Sequence, residues 1–168
     1  MGEIIKKYLP EFVYGGIDGA ITTFAVVAGA YGAGFSSNVV IILGFSNLVA
    51  DGFSMSIGNY LSERSKQDEA SYVQPIYSAL VTFFSFGLLG FIPLISYIVG
   101  LFIEVSSFNL FIYACFLTAI SFIIIGFLKS YIGKNSLWKG ILETLLLGGL
   151  AAIIAYTLGD LLEKAIVG

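Results

Sequence analysis

Asn47-Leu-Val-Ala-Asp51-Gly-Phe-Ser-Met55-Ser-Ile-Gly-Asn59 is the stretch on which the fold turns. It lies inside an apolar run of at least the roughly 20 residues that cross a bilayer as a helix. Asn47, Asp51, Met55 and Asn59 recur every four residues, so a helix gathers them into one polar stripe. A carboxylate at the centre of a membrane helix costs roughly 2.5–3.5 kcal/mol on insertion scales. Such a group faces a partner, a cavity or an ion. The stripe offers oxygens and a thioether along one side of one helix, a donor set that suits a divalent cation.

The composition agrees with a membrane setting. Of 168 residues, 58% are hydrophobic and 11% charged, and the mean hydropathy is +0.95. A soluble domain carries about 25% charged residues. The chain cannot cover a water-facing surface and is expected to reside in the lipid bilayer. A net charge of −3 leaves no basic footprint for nucleic acid. Histidine is absent and Cys115 is the one cysteine, which excludes an intrachain disulfide and His- or Cys-based zinc sites. Cys115 reads as a small buried hydrophobe. Carboxylates are left as proton carriers. Met1–Pro10 is short and polar, without the pattern of a signal peptide.

Working outward, five apolar runs can be drawn at 12–33, 39–61, 76–98, 108–128 and 137–158. They predict an all-α integral membrane protein with five transmembrane helices and a single transmembrane domain over 1–168. Residues 34–38 make a tight hairpin between the first two spans, and 62–74 form a short loop. Pro75 suits a helix first turn, and Pro93 predicts a kink within the third span. Lys6, Lys7, Arg64, Lys66, Lys129, Lys134 and Lys139 fall on one side, with Lys164 on the other. The positive-inside rule then makes the N-terminus cytoplasmic and the C-terminus outside or lumenal.

Span one holds a second intramembrane carboxylate, Asp18, flanked by the small-residue pair Gly15 and Gly19 that permits close helix approach. Asp18 lies about six residues, or ~9 Å, in from the cytoplasmic end of its apolar run. Met55 lies about as far from the cytoplasmic end of span two. Antiparallel neighbours would bring Asp18 and Met55 level, with Asp51 one turn deeper. Glu143 in span five follows Lys139 by four residues, which reads either as an interfacial ion pair or as lining of a polar path. Glu63, Asp68 and Glu69 in the 62–74 loop read as a solvated turn or as an acidic funnel at a cytoplasmic entrance.

No catalytic set is visible: no nucleophile with a base, no phosphate-cradling glycine loop and no HExxH, so an enzyme is not expected. Asp18, Asp51 and Met55 form the candidate metal-ligand set, with Asn47 and Asn59 as weaker polar lining. Mixed oxygen and sulfur ligation favours Fe(II) over Mg(II) or Ca(II), with Mn(II), Co(II) and Zn(II) as alternatives. Carboxylates that release metal can take up protons, which makes protons a natural coupling ion. One five-span subunit has little room for a hydrated path. A homodimer with spans one and two at its axis would double the ligands. The rivals are a Mn(II) or broad divalent-cation exporter, and a membrane scaffold without flux whose stripe only fixes helix pairing.

The chain resembles the vacuolar iron transporter family. The matching residues are Gly16-Ile-Asp18-Gly-Ala-Ile-Thr-Thr-Phe-Ala-Val-Val-Ala-Gly29, Ala50-Asp51-Gly-Phe-Ser-Met55-Ser-Ile-Gly-Asn-Tyr-Leu-Ser62, and Glu143-Thr-Leu-Leu-Leu-Gly-Gly-Leu-Ala-Ala152. The resemblance implies a five-helix homodimer that moves Fe(II), and often Mn(II), out of the cytosol against protons. It places the family's span-one aspartate on Asp18 and its span-two methionine on Met55. Two departures stand out. Many relatives carry a glutamate where this chain has Asn47, and here the acid stands one turn on, at Asp51. Plant members have a long acidic metal-binding domain between spans two and three, where this chain has only the 62–74 loop. The high Ile content and short loops fit a prokaryotic cell membrane better than a vacuolar one.

Overall fold

The computed structural model describes residues 2–66, 74–133 and 136–166, and the regular elements among them are all helical. They are α1 (Gly2–Gly32), α2 (Ser37–Ser65), α3 (Pro75–Gly90), α4 (Ile95–Val99), α5 (Ser107–Gly133) and α6 (Leu137–Ile166). A 3₁₀ turn, Ile92–Leu94, joins α3 to α4, and the three pieces make one span, Pro75–Val99. Five segments are thus long and apolar enough to cross a membrane. The protein is an all-α, multi-pass membrane protein.

The helices outrun the apolar stretches that announce them. α1 begins at Gly2 rather than near residue 12, and α6 continues to Ile166 rather than stopping near 158. Hydropathy marks only the part in contact with hydrocarbon, whereas the hydrogen-bond ladder continues into polar turns. Asp160 and Lys164 accordingly lie on α6, paired at 2.8 Å as i,i+4 neighbours rather than in a free end.

Two local signals shape the bundle. α1 ends in a Schellman turn: Phe35 N–H donates to Ala30 C=O and Gly34 N–H to Tyr31 C=O, each at 3.0 Å. Gly34 has φ of +67°, which a residue without a Cβ adopts at no steric cost. The chain then reverses over four residues into α2. In the third span, Pro93 lacks an N–H and would crowd the Leu89 carbonyl of a continuous helix. The helix breaks there, and Leu94 N–H bonds back to Phe91 C=O at 3.0 Å in 3₁₀ fashion.

α1 is the central element and touches α2, α3, α5 and α6. Its Gly15 and Gly19 let α3 approach closely, in parallel: a Cβ on Gly19 would collide with the Phe86 carbonyl oxygen, and one on Gly15 with the Ser85 hydroxyl. The core around this seam contains Val13, Phe24, Val27, Phe86, Leu94 and Phe122. α6 packs on α1 near Gly29 and on α5 near Phe122. Its remaining face, including Leu146, Leu150 and Ile153, is exposed and apolar, as a lipid-facing helix requires.

Candidate functional site

On α2 the buried positions Val40, Gly44, Leu48, Gly52 and Ser56 form one stripe. The polar stripe of Asn47, Asp51, Met55 and Asn59 runs beside it, at the border between the buried face and the outside. Its two ends turn inward. The Asn47 amide donates to Thr22 Oγ1 at 3.4 Å and to Thr23 Oγ1 at 3.3 Å, while Thr22 donates to the Asp18 carbonyl at 2.8 Å. The Asn59 amide donates to Thr82 Oγ1, and its carbonyl accepts from Ser78 Oγ at 3.3 Å. Ser78 and Thr82 are fully buried. Asn59 therefore ties α2 to α3, as Asn47 ties α2 to α1. Membrane hydrogen bonds of this kind contribute about 0.6–1.7 kcal/mol each. Asn59→Leu is expected to cost about 1–2 kcal/mol in detergent unfolding, since it also leaves two hydroxyls without that partner.

The Asn47 hydrogen bonds fix the register of the α1–α2 hairpin and correct one expectation. Positions 22 and 23 stand level with 47, so one turn toward the N-terminal face Asp18 stands level with Asp51. Met55 lies a further turn that way, opposite Tyr14 and Gly15. The expected levelling of Asp18 with Met55 does not occur. Counting from the ends of the apolar runs failed because those ends are not aligned. The turn is the true origin: Asp18 lies fourteen residues before Gly32 and Asp51 fourteen after Ser37.

The two carboxylates are half-buried and lie within electrostatic reach of each other. Among the described residues neither has a hydrogen-bond or ion-pair partner. Two like charges sharing a membrane seam without a counter-charge are unfavourable unless a proton or a cation joins them. Met55 is half-buried against the core and follows Asp51 by one turn of α2.

Glu11 is a further acid on this face of α1, and the sequence reading passed over it. It is seven residues before Asp18 on the same face of α1, and its Oε2 is buried with no hydrogen-bond partner. The signal was an acid two turns before an intramembrane acid, at the edge of the apolar run. The other acids behave differently. Glu143 pairs with Lys129 of α5 at 2.9 Å, not with Lys139, and is exposed. Glu63 pairs with Lys66 at 2.8 Å. Asp68 and Glu69 lie outside the described residues. No three Asp, Glu, Cys or His side chains converge on one point among the described residues. One subunit thus supplies two carboxylates and a thioether, fewer ligands than a closed divalent-ion site needs.

Fold and site together define a polytopic membrane protein with an unpaired carboxylate pair at one helix seam. The profile of the VIT family matches residues 9–73 and 66–160, and the chain belongs to that family. It is similar to a vacuolar iron transporter of Toxoplasma gondii, 43% identical over 63 residues, covering 38% of this chain and 21% of that protein. A vacuolar iron transporter of Plasmodium falciparum is 40% identical over 63 residues, covering 38% and 23%. Vacuolar iron transporter 1 of Arabidopsis thaliana is 36% identical over 67 residues, covering 40% and 25%. The chain thus spans about a quarter or less of the length of these curated relatives.

Proposed function

We propose that this protein is a divalent transition-metal transporter that moves Fe(II) out of the cytoplasm in exchange for protons, as a homodimer. The observation that carries the reading is the unpartnered pair Asp18 and Asp51, level on one seam within the membrane. The names of the relatives support iron as the ion. Asp18 and Asp51 bind the ion through hard oxygens, and Met55 adds a soft donor that favours Fe(II) over Mg(II). Glu11 extends the acidic track toward the face that bears Lys7, Arg64 and Lys66, the cytoplasmic face by the positive-inside rule. Release of metal leaves carboxylates that take up protons, which couples the two flows.

Three features support the dimer. The seam is at the outside of one subunit, where lipid would otherwise meet charge. The ligand count in one chain is half of what a cation site requires. A two-fold axis along the seam gives two each of Asp18, Asp51 and Met55. The levelling of Asp51 with Asp18 also supports the idea that the acid found at the Asn47 position in many relatives has moved one turn along the same face. The resulting path serves export across either a prokaryotic plasma membrane, which the short loops favour, or an organellar membrane, which the relatives' names favour.

Ion competition in proteoliposomes tests the reading. Fe(II) uptake should be inhibited by Mn(II) more than by Mg(II), and the detergent-purified protein should scatter light as a dimer. A monomer with unchanged transport would overturn the shared site. Met55→Leu removes the thioether alone, and should shrink the preference for Fe(II) over Mg(II) roughly tenfold, or about 1.4 kcal/mol, with uptake retained. A second reading, helix pairing without flux, has the Asn47 and Asn59 hydrogen bonds in its favour. It leaves the Asp18–Asp51 pair unexplained.

A further inference from the structure

α5 and α6 meet in an antiparallel hairpin on the membrane face that also bears Lys7, Arg64 and Lys66. Between them lies a cavity of about 250 Å³ lined by Lys129, Ser130, Ser136, Lys139, Gly140 and Glu143. Its chemistry differs from a cavity of about 440 Å³ between α1, α5 and α6, whose lining is almost wholly apolar. Here two ammonium groups, two hydroxyls and one carboxylate surround the space. Glu143 Oε2 neutralises Lys129 at 2.9 Å. Lys139 has no ion-pair partner among the described residues, so the cavity retains one net positive charge.

The surroundings are those of a lipid headgroup. Trp138 is 82% exposed beside Lys139, and Tyr131 is exposed at the end of α5. Aromatic side chains with one apolar and one polar edge settle at the headgroup level of a bilayer. From there the exposed Ile124 and Phe127 of α5, and Leu142 and Leu146 of α6, continue as an apolar surface toward the membrane centre. A ligand that fits carries a negative phosphate at one end and hydrocarbon at the other.

We propose that this cavity binds the phosphate headgroup of an anionic phospholipid of the leaflet on that face. Lys139 contacts the phosphate, Lys129 stands beside it held by Glu143, Ser136 is within the same lining, and the acyl chains lie along α5 and α6. Basic cavities between transmembrane helices at the cytoplasmic surface recognise anionic lipids by this charge complementarity. The lipid clamps the α5–α6 hairpin, whose second helix is the least enclosed of the five spans. The site is separate from the Asp18–Asp51 seam and does not depend on which ion is transported.

Native mass spectrometry of the full chain, purified with a mixture of phosphatidylglycerol and phosphatidylcholine, tests this. Phosphatidylglycerol should be retained in preference. Lys139→Gln should lower that preference about fivefold, the factor for one juxtamembrane lysine. Glu143→Gln should raise it, because Lys129 is then released to the phosphate. That rise is the opposite of what loss of a purely structural ion pair would give. Millimolar inorganic phosphate should not displace the lipid. Equal retention of the two lipids, or an unchanged preference in Lys139→Gln, would overturn the site. Displacement by inorganic phosphate would overturn the lipid assignment in favour of a small-anion site. If Lys139→Gln did not fold, Glu143→Gln and the phosphate competition would still decide the matter.

Discussion

Asp18→Asn and Asp51→Asn are each expected to reduce metal uptake about 100-fold while leaving a folded protein. Losing even an outer partner of a metal ligand costs about 10–100-fold, and these residues are proposed as the ligands themselves. Asparagine keeps the shape and one oxygen but removes the charge that binds the cation and carries the proton. Stability should move the other way. The two carboxylates lie within reach of each other without a counter-charge, so neutralising either one relieves repulsion and desolvation. Thermal unfolding in detergent should therefore stay level or rise in both variants. A purely structural role predicts the reverse, with stability and uptake falling together. Wild-type rates in both variants would remove these residues from the site.

Gly19→Val carries the second large effect, and it acts on the fold. A Cβ at residue 19 would collide with the Phe86 carbonyl oxygen and lie 2.8 Å from Phe86 Cα, so neighbouring backbone, not a flexible side chain, would have to move. Overpacking of this kind costs about 1–3 kcal/mol where repacking is possible, and a backbone clash belongs at the upper end. The expected result is a fall in detergent melting temperature and in the yield of folded protein. Gly87 is the control. Nothing lies within 4 Å of a Cβ built there, so Gly87→Ala should be neutral or gain up to about 1 kcal/mol from helix propensity. Equal stability of the two variants would contradict the tight α1–α3 contact.

The helical spans and the turn chemistry were legible because each rests on a local physical rule. Hydropathy marks hydrocarbon contact, Gly34 permits a positive φ, and Pro93 cannot continue a helix. The carboxylates Asp18 and Asp51 were legible because a charge within an apolar run demands an explanation. Register was not legible from the same run, because the ends of hydrophobic stretches are soft while a four-residue turn is rigid. Counted from that turn, Asp51 rather than Met55 stands opposite Asp18. The four-residue spacing of the stripe also concealed a division of labour. Asn47 and Asn59 find threonine and serine hydroxyls on α1 and α3, whereas Asp51 finds none among the described residues. Glu143 shows why an i,i+4 pattern is weak when a second helix is near: Lys129 of α5 reaches it at 2.9 Å.

Fe(II) uptake into proteoliposomes under an imposed pH gradient tests the central claim most directly. The account predicts uptake that requires the gradient and disappears in Asp18→Asn. A folded dimer that moves no divalent ion under any gradient would contradict it, and would reduce the α2 stripe to a device for pairing helices.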